Sequence, residues 1–405
     1  MATHRLYYDD CFLQNFTARV VSCLPAEPFP TPSGTRPAWE VLLDRTALYP
    51  NSGGQPHDLG KLGEGQILDV RDAGDEIAHI VDREISGGTI DGCIDWPRRF
   101  DHMQQHTGQH LLSAIFQERY GLPTVSFHLG AELSTIDLRG PEPSPDTLTG
   151  AQRAANAVIF EDRPVNVRYG TADQLAQRGV RKEVDRQGIL RAIEIEATDL
   201  QPCGGTHVKS AGQIGLILVR RCTKIRQDWR VEFVCGARAE KFASADFELL
   251  RLIATRLSCT PDEAPAAIEK SAAERDSSSK NLRLALEQLA EARSKLLIAG
   301  TAPAANQLRC IATLLREEDA ELLLPLASEL ARNENTVALL IHEPSGQLVF
   351  AQSMAAAADL GAILKQVLAT IPGKGGGTRD FVRAKLADPS QSAAALKLAT
   401  QLIAG

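Results

Sequence analysis

Two short segments, His106-Thr107-Gly108-Gln109-His110 and Cys203-Gly204-Gly205-Thr206-His207, constrain the folding of this 405-residue chain more than any other feature. Each carries two metal-donor side chains four residues apart. The first lies in a stretch from Arg99 to Phe116, where Leu111, Leu112, Ile115 and Phe116 mark the buried face of a helix. Residues four apart on a helix are neighbours, so both imidazoles can point at one ion. In the second segment, two glycines let the backbone turn tightly enough for thiol and imidazole to converge. Two imidazoles from one element, with a thiolate and an imidazole from another, make a tetrahedral N/S donor set of the kind Zn²⁺ prefers. A chain that uses this set must bring distant segments together. Taken singly, each pair also fits a plain structure: hydrogen-bonded core histidines, or a tight turn with a buried cysteine.

The length predicts two to four domains, and an apolar content of 43% with 23% charged residues is that of an ordinary soluble protein. No apolar run approaches a membrane span, and the N-terminus lacks the core of a signal peptide. The eight cysteines are scattered without a paired framework, so a reducing, cytoplasmic setting is expected. Only Cys203 keeps metal-ligand company. A net charge of −7 argues against a general nucleic-acid coating protein. It leaves room for a local patch. Residues 209–238 hold seven Lys or Arg against two acids, and Arg220, Arg221 and Lys224 are the candidates for phosphate contact. The alternative for them is a solvated strand face.

The sequence predicts an α+β protein. Residues 1–98 show short strands at Arg5–Tyr8, Phe16–Cys23, Trp39–Leu43, Gly65–Val70 and Ile77–Val81, which predicts a small β-barrel domain. Pro25, Pro28, Pro30, Pro32 and Pro37 predict an exposed loop between two of them. Residues 99–240 form an α+β domain around the metal motifs, with a hairpin at Thr124–Leu138 and a helix capped by Ser144. Residues 241–300 are a helical arm whose Leu282, Leu286, Leu289 and Leu296 form a stripe that needs a partner helix. Residues 301–405 are a compact α/β unit in which Gly373-Lys-Gly-Gly-Gly-Thr-Arg-Asp380 opens a helix. That glycine run lacks the spacing of a nucleotide-binding P-loop, so ATP binding is rejected.

His-x-x-x-His followed by Cys-Gly-Gly-Thr-His resembles the editing domain of alanyl-tRNA synthetase and its free-standing relatives, the AlaX proteins. Leu42–Gly60 resembles the stretch that precedes the metal motifs there, with Thr46 and Ser52-Gly53-Gly54-Gln55 in matching places. Residues 301–405 resemble the DHHA1 domain at the end of alanyl-tRNA synthetases. The resemblance implies one Zn²⁺ per chain on His106, His110, Cys203 and His207. It implies a catalytic part for Thr46 and Gln55, with the Thr46 hydroxyl contacting a serine side chain. Gly53, Gly54, Arg220, Arg221 and Lys224 are the expected substrate-binding residues. The implied activity is deacylation of mischarged tRNA(Ala), mainly the seryl ester and also the glycyl. No stretch is left for an adenylate-forming domain, so action in trans is expected. A homodimer through the C-terminal half is the expected assembly, with no membrane partner.

Rival functions are distinguishable on residues. A zinc peptidase would carry His-Glu-x-x-His, and positions 107–109 hold no carboxylate. The non-enzymatic alternative is a zinc-stabilised tRNA-binding or dimerisation module. Four protein ligands describe a closed geometry, so the sequence leaves open whether the ion activates water or only organises the site.

Overall fold

Six strands close into a barrel in the computed structural model, which describes residues 2–31, 34–182, 187–305, 307–317 and 320–404. Around the ring they run Asn15–Thr31, Gly34–Leu43, Glu76–Val81, Gly65–Ala73, Gly60–Leu62 and Thr89–Ile94. Phe16, Val41, Leu43, Leu62, Val70, Ile77 and Val81 fill its interior. The first two strands pair as one long ribbon, with Pro25 opposite Trp39 and Pro30 opposite Thr35. The proline-rich loop expected here is therefore a hairpin. Its register shifts between Ala26 and Phe29, and exposed positions accommodate prolines that cannot donate to a ladder. Pro32 lies outside the described residues. The strand expected at Arg5–Tyr8 is also corrected. His4–Arg5 pairs with Arg45–Thr46, and Leu6–Asp9 is one helical turn that buries Tyr7.

The helix Trp96–Tyr120 starts at Asp95, whose side chain accepts the Arg98 amide, and stops at Gly121 with φ 66°. Every residue from His102 to Phe116 is buried. A four-stranded antiparallel sheet, ordered Ile217–Ile225, Asp228–Cys235, Ser134–Leu138, Thr124–Leu129, packs on it through Ile136, Leu138, Val231 and Phe233. Ser144 caps the helix Pro145–Phe160, as its position in sequence predicts. A three-stranded sheet, Val165–Gly170, Leu190–Ile195 and Asp199–Pro202, delivers the chain to Cys203. These elements belong to the first of two compact units, residues 1–250 and 251–405.

The second unit has a five-stranded sheet ordered Arg309–Leu315, Thr336–His342, Gln347–Gln352, Phe381–Leu386, Gly373–Gly377. Its first pair is parallel and the others antiparallel. The glycine run is thus an edge strand; it opens no helix, so it forms no anion site at a helix N-terminus. Ala264–Gly300 is one helix of 37 residues. Leu286 and Ala290 pack on Leu322, Leu323 and Leu326, whereas Leu282, Leu289 and Leu296 are exposed. No helix among the described residues is long and apolar enough to cross a membrane.

Candidate metal centre

The buried helix and the loop after Pro202 bring His106, His110, Cys203 and His207 together, with one donor atom from each inside a 4.8 Å cluster. Cys203 Sγ is 3.5 Å from His106 Nε2 and 3.3 Å from His207 Nε2. Gly205 permits this closeness, because a Cβ there would stand 2.2 Å from the His106 ring. Arg191 clasps the loop by donating to the Cys203 and Gly205 carbonyls.

The far side of each imidazole is tied down. His106 Nδ1 is 3.0 Å from Gln55 Oε1, and His110 Nδ1 is 3.0 Å from an Asp199 carboxylate oxygen. His207 Nδ1 is 3.1 Å from the Thr107 hydroxyl, whose own proton goes to the Met103 carbonyl. Each acceptor makes Nδ1 the protonated nitrogen and leaves Nε2 its lone pair. Outer partners of this kind orient the histidine ligands of metal sites. The donor set and its supports therefore fit a metal ion.

The charges follow the same geometry. Burial alone would raise the Cys203 thiol, yet His106 and His207 hold it well below its usual range. Burial would lower His110, but Asp199 and Cys203 push it up to about 9. Burial and the charge of His106 keep His207 well below the usual imidazole value. Asp199 is also paired with Arg181 at 2.7 Å. A thiolate with a neutral imidazole beside it is ready to ligate, and an arriving ion would displace the remaining proton.

The cluster forms part of the wall of a cavity of about 810 Å³. Gly53 and Gly54 line it at the centre of a tight turn in which Ser52 and Gln55 exchange main-chain hydrogen bonds. Both glycines take positive φ, 56° and 81°. A fully buried ion pair fastens this loop to the metal helix. Arg99 donates to Asp58 and to the Ala47 and Cys11 carbonyls, and Asp58 accepts the Tyr49 amide.

Other residues singled out in the sequence are placed differently. Gln55 is buried with both ends committed: Oε1 to His106 and the Thr206 amide, Nε2 to the Thr206 hydroxyl. Thr46 is buried and is not among the cavity-lining residues. His79 Nδ1 faces the Val41 carbonyl, so its Nε2 accepts the Thr46 proton at 2.9 Å, while the Leu48 amide donates to the same hydroxyl. The Thr46 hydroxyl is thus engaged away from the cavity. Arg220, Arg221 and Lys224 lie on Ile217–Ile225, the opposite edge of the four-stranded sheet from the cavity-lining strand Thr124–Leu129. Arg220 pairs with Asp246, and all three are exposed. Asp199 and Arg191 carry no signal in the sequence that marks them for the site, and Thr107, Arg99 and Asp58 lie in the marked stretches without any sign of their partners. An acceptor supplied by a distant segment obeys no spacing rule that would reveal it.

Comparison with known proteins places the chain among named relatives. Residues 190–230 match a family model described as the threonyl and alanyl tRNA synthetase second additional domain. The chain is 31% identical over 398 residues to the alanyl-tRNA editing protein AlaX-L of Pyrococcus horikoshii, covering 94% of each chain. It is 30% identical over 409 residues to the alanyl-tRNA editing protein Aarsd1 of Mus musculus, covering 96% of this chain and 95% of that one. A match of 35% identity to Aarsd1-A of Xenopus laevis is shorter, 271 residues, spanning 65% of that protein.

Proposed function

This chain belongs to the alanyl-tRNA editing proteins, aminoacyl-tRNA deacylases, and from that premise we propose that it hydrolyses seryl-tRNA(Ala), and also glycyl-tRNA(Ala), in trans with one Zn²⁺ per chain. The observation that carries the proposal is the cluster itself. Three imidazoles, each with Nδ1 held by a buried acceptor, turn Nε2 toward one thiolate at the wall of a large cavity. His106, His110, Cys203 and His207 would hold the ion, which supplies a fixed positive charge beside the ester.

The chain's own residues do the rest. Gly53 and Gly54 offer main-chain N–H groups to the substrate at the cavity wall, where donors aimed at a developing oxyanion are most effective. Gln55 positions His106 and the Thr206 loop. Thr46 positions the start of the same loop through Leu48 and His79. Arg221 and Lys224 contact phosphates beyond the acceptor end, with Arg220 the weaker contributor because Asp246 already neutralises it. Residues 1–98, 99–240, 241–300 and 301–405 act as barrel, editing, arm and DHHA1-like modules. The exposed Leu282, Leu289 and Leu296 on the arm support a homodimer through the C-terminal half.

A second reading is a zinc-stabilised tRNA-binding module without catalysis. It is favoured by the count of four protein donors, which leaves no open ligand position. Incubation of the full chain with seryl-, glycyl- and alanyl-tRNA(Ala) separates the two. Release of serine and glycine with alanine retained is expected. Retention of all three, with tRNA bound, would establish the second reading.

A further inference from the structure

Several polar side chains near the metal-donor cluster are already engaged. Thr46 and Gln55 are committed as described, and the Ser126 hydroxyl donates to Asp137. Gln109 is different. It stands between His106 and His110 on the buried helix, lines the same cavity and is 3% exposed. Its Nε2 donates to Ser113 Oγ at 2.8 Å, and that oxygen also accepts from the Thr124 hydroxyl at 2.8 Å. The amide is therefore pinned by its nitrogen. Its Oε1 has no hydrogen-bond partner among the described residues, and it is not one of the buried atoms shut off from solvent. This unpaired, accessible oxygen belongs to a side chain that lines the cavity beside the cluster.

We propose that Gln109 Oε1 is the acceptor for the serine hydroxyl of the substrate, and so the specificity-determining atom of the site. The inference rests on the deacylase reading above. An amide oxygen accepts and cannot donate. A seryl ester offers it an O–H; an alanyl ester puts a methyl group against it and leaves the oxygen unpaired. A site built to bond a substrate hydroxyl rejects the analogue that lacks one far better than a pocket that sorts by size. Glycyl esters gain nothing from the contact, so Gln109 also favours serine over glycine. The pin through Ser113 matters because an unpinned amide can turn its N–H₂ to the cavity. The buried helix limits any other movement of the side chain.

The test compares kcat/KM for seryl- and alanyl-tRNA(Ala), with metal content measured in the same preparations. Gln109→Met keeps the length and removes the acceptor. It should retain its metal and lose seryl activity by roughly 5- to 150-fold, the range a lost buried hydrogen bond implies, with the alanyl rate little changed. Ser113→Ala leaves Gln109 in place but releases its nitrogen. It should lower the seryl-to-alanyl ratio by a smaller factor, and it serves as the deciding variant where Gln109→Met fails to hold metal. An unchanged ratio in a metal-loaded Gln109→Met protein, or in Ser113→Ala where that variant decides, would overturn the assignment. A wild-type protein that cleaves none of the esters would instead remove the deacylase reading, a result seen before any variant is made.

Discussion

Gln55 Oε1 lies 3.0 Å from His106 Nδ1 and accepts the Thr206 amide at 3.1 Å. One buried side chain thus joins the glycine turn to both metal-bearing segments. Replacing it with methionine keeps its length and removes the acceptor. Gln55→Met should weaken metal binding by about 10- to 100-fold, the usual cost of losing an outer partner of a histidine ligand. Competition with a chelator reads this directly. Wild-type affinity in the variant would show that Gln55 only fills space.

Arg99 and Asp58 are both 0% exposed, and their pairing holds the turn-bearing loop to the metal helix. Removing one member leaves a buried charge alone. Arg99→Met should therefore destabilise the protein by about 3–5 kcal/mol. The double change Arg99→Met with Asp58→Leu should recover part of that loss, because no charge is then stranded. Urea unfolding of the three proteins checks the pattern. A double variant less stable than Arg99→Met would contradict it.

His79 is wholly buried in the barrel, and burial lowers its pKa from 6.5 to about 4. The unfolded chain therefore takes up this proton at higher pH than the folded one. The neutral ring's contribution is complete above the unfolded value and is lost as pH falls from about 6.5 toward 4. The expected loss from this residue by pH 4 is about 3 kcal/mol, because each pH unit between the unfolded and folded values is worth about 1.4 kcal/mol. His102, lowered to about 3 by burial and by neighbouring arginines, adds in the same direction. Unfolding midpoints for wild type and His79→Gln between pH 7 and 4 should converge as the pH drops. Parallel curves would mean that His79 does not couple stability to acid.

The mixed α+β class and the meeting of the four donor residues are legible in the sequence because rare donor types recur at spacings set by local geometry. His106 and His110 must share a helix face, and Gly204 and Gly205 must let Cys203 and His207 converge. The Ser144 cap is legible for a similar reason, since capping depends on one residue and its next turn. The orientation of Thr46 is not, because closeness in sequence to Gly53 and Gly54 does not say which way a hydroxyl faces; His79, far along the chain, decides that. Gly373–Gly377 reads as the opening of a helix because glycines carry no side-chain pattern to separate such a lead-in from an edge strand. Prolines 25 to 30 signal a loop, yet an exposed, bulged ribbon accommodates them equally well.

The most direct test is the rate of seryl-tRNA(Ala) deacylation by the full chain before metal removal, after it, and on adding Zn²⁺ back. Metal-free protein should lose the activity, and about one equivalent of Zn²⁺ per chain should restore it, as expected of a single four-donor site. Full activity in protein shown by elemental analysis to be free of metal would contradict a metal-dependent hydrolysis on His106, His110, Cys203 and His207.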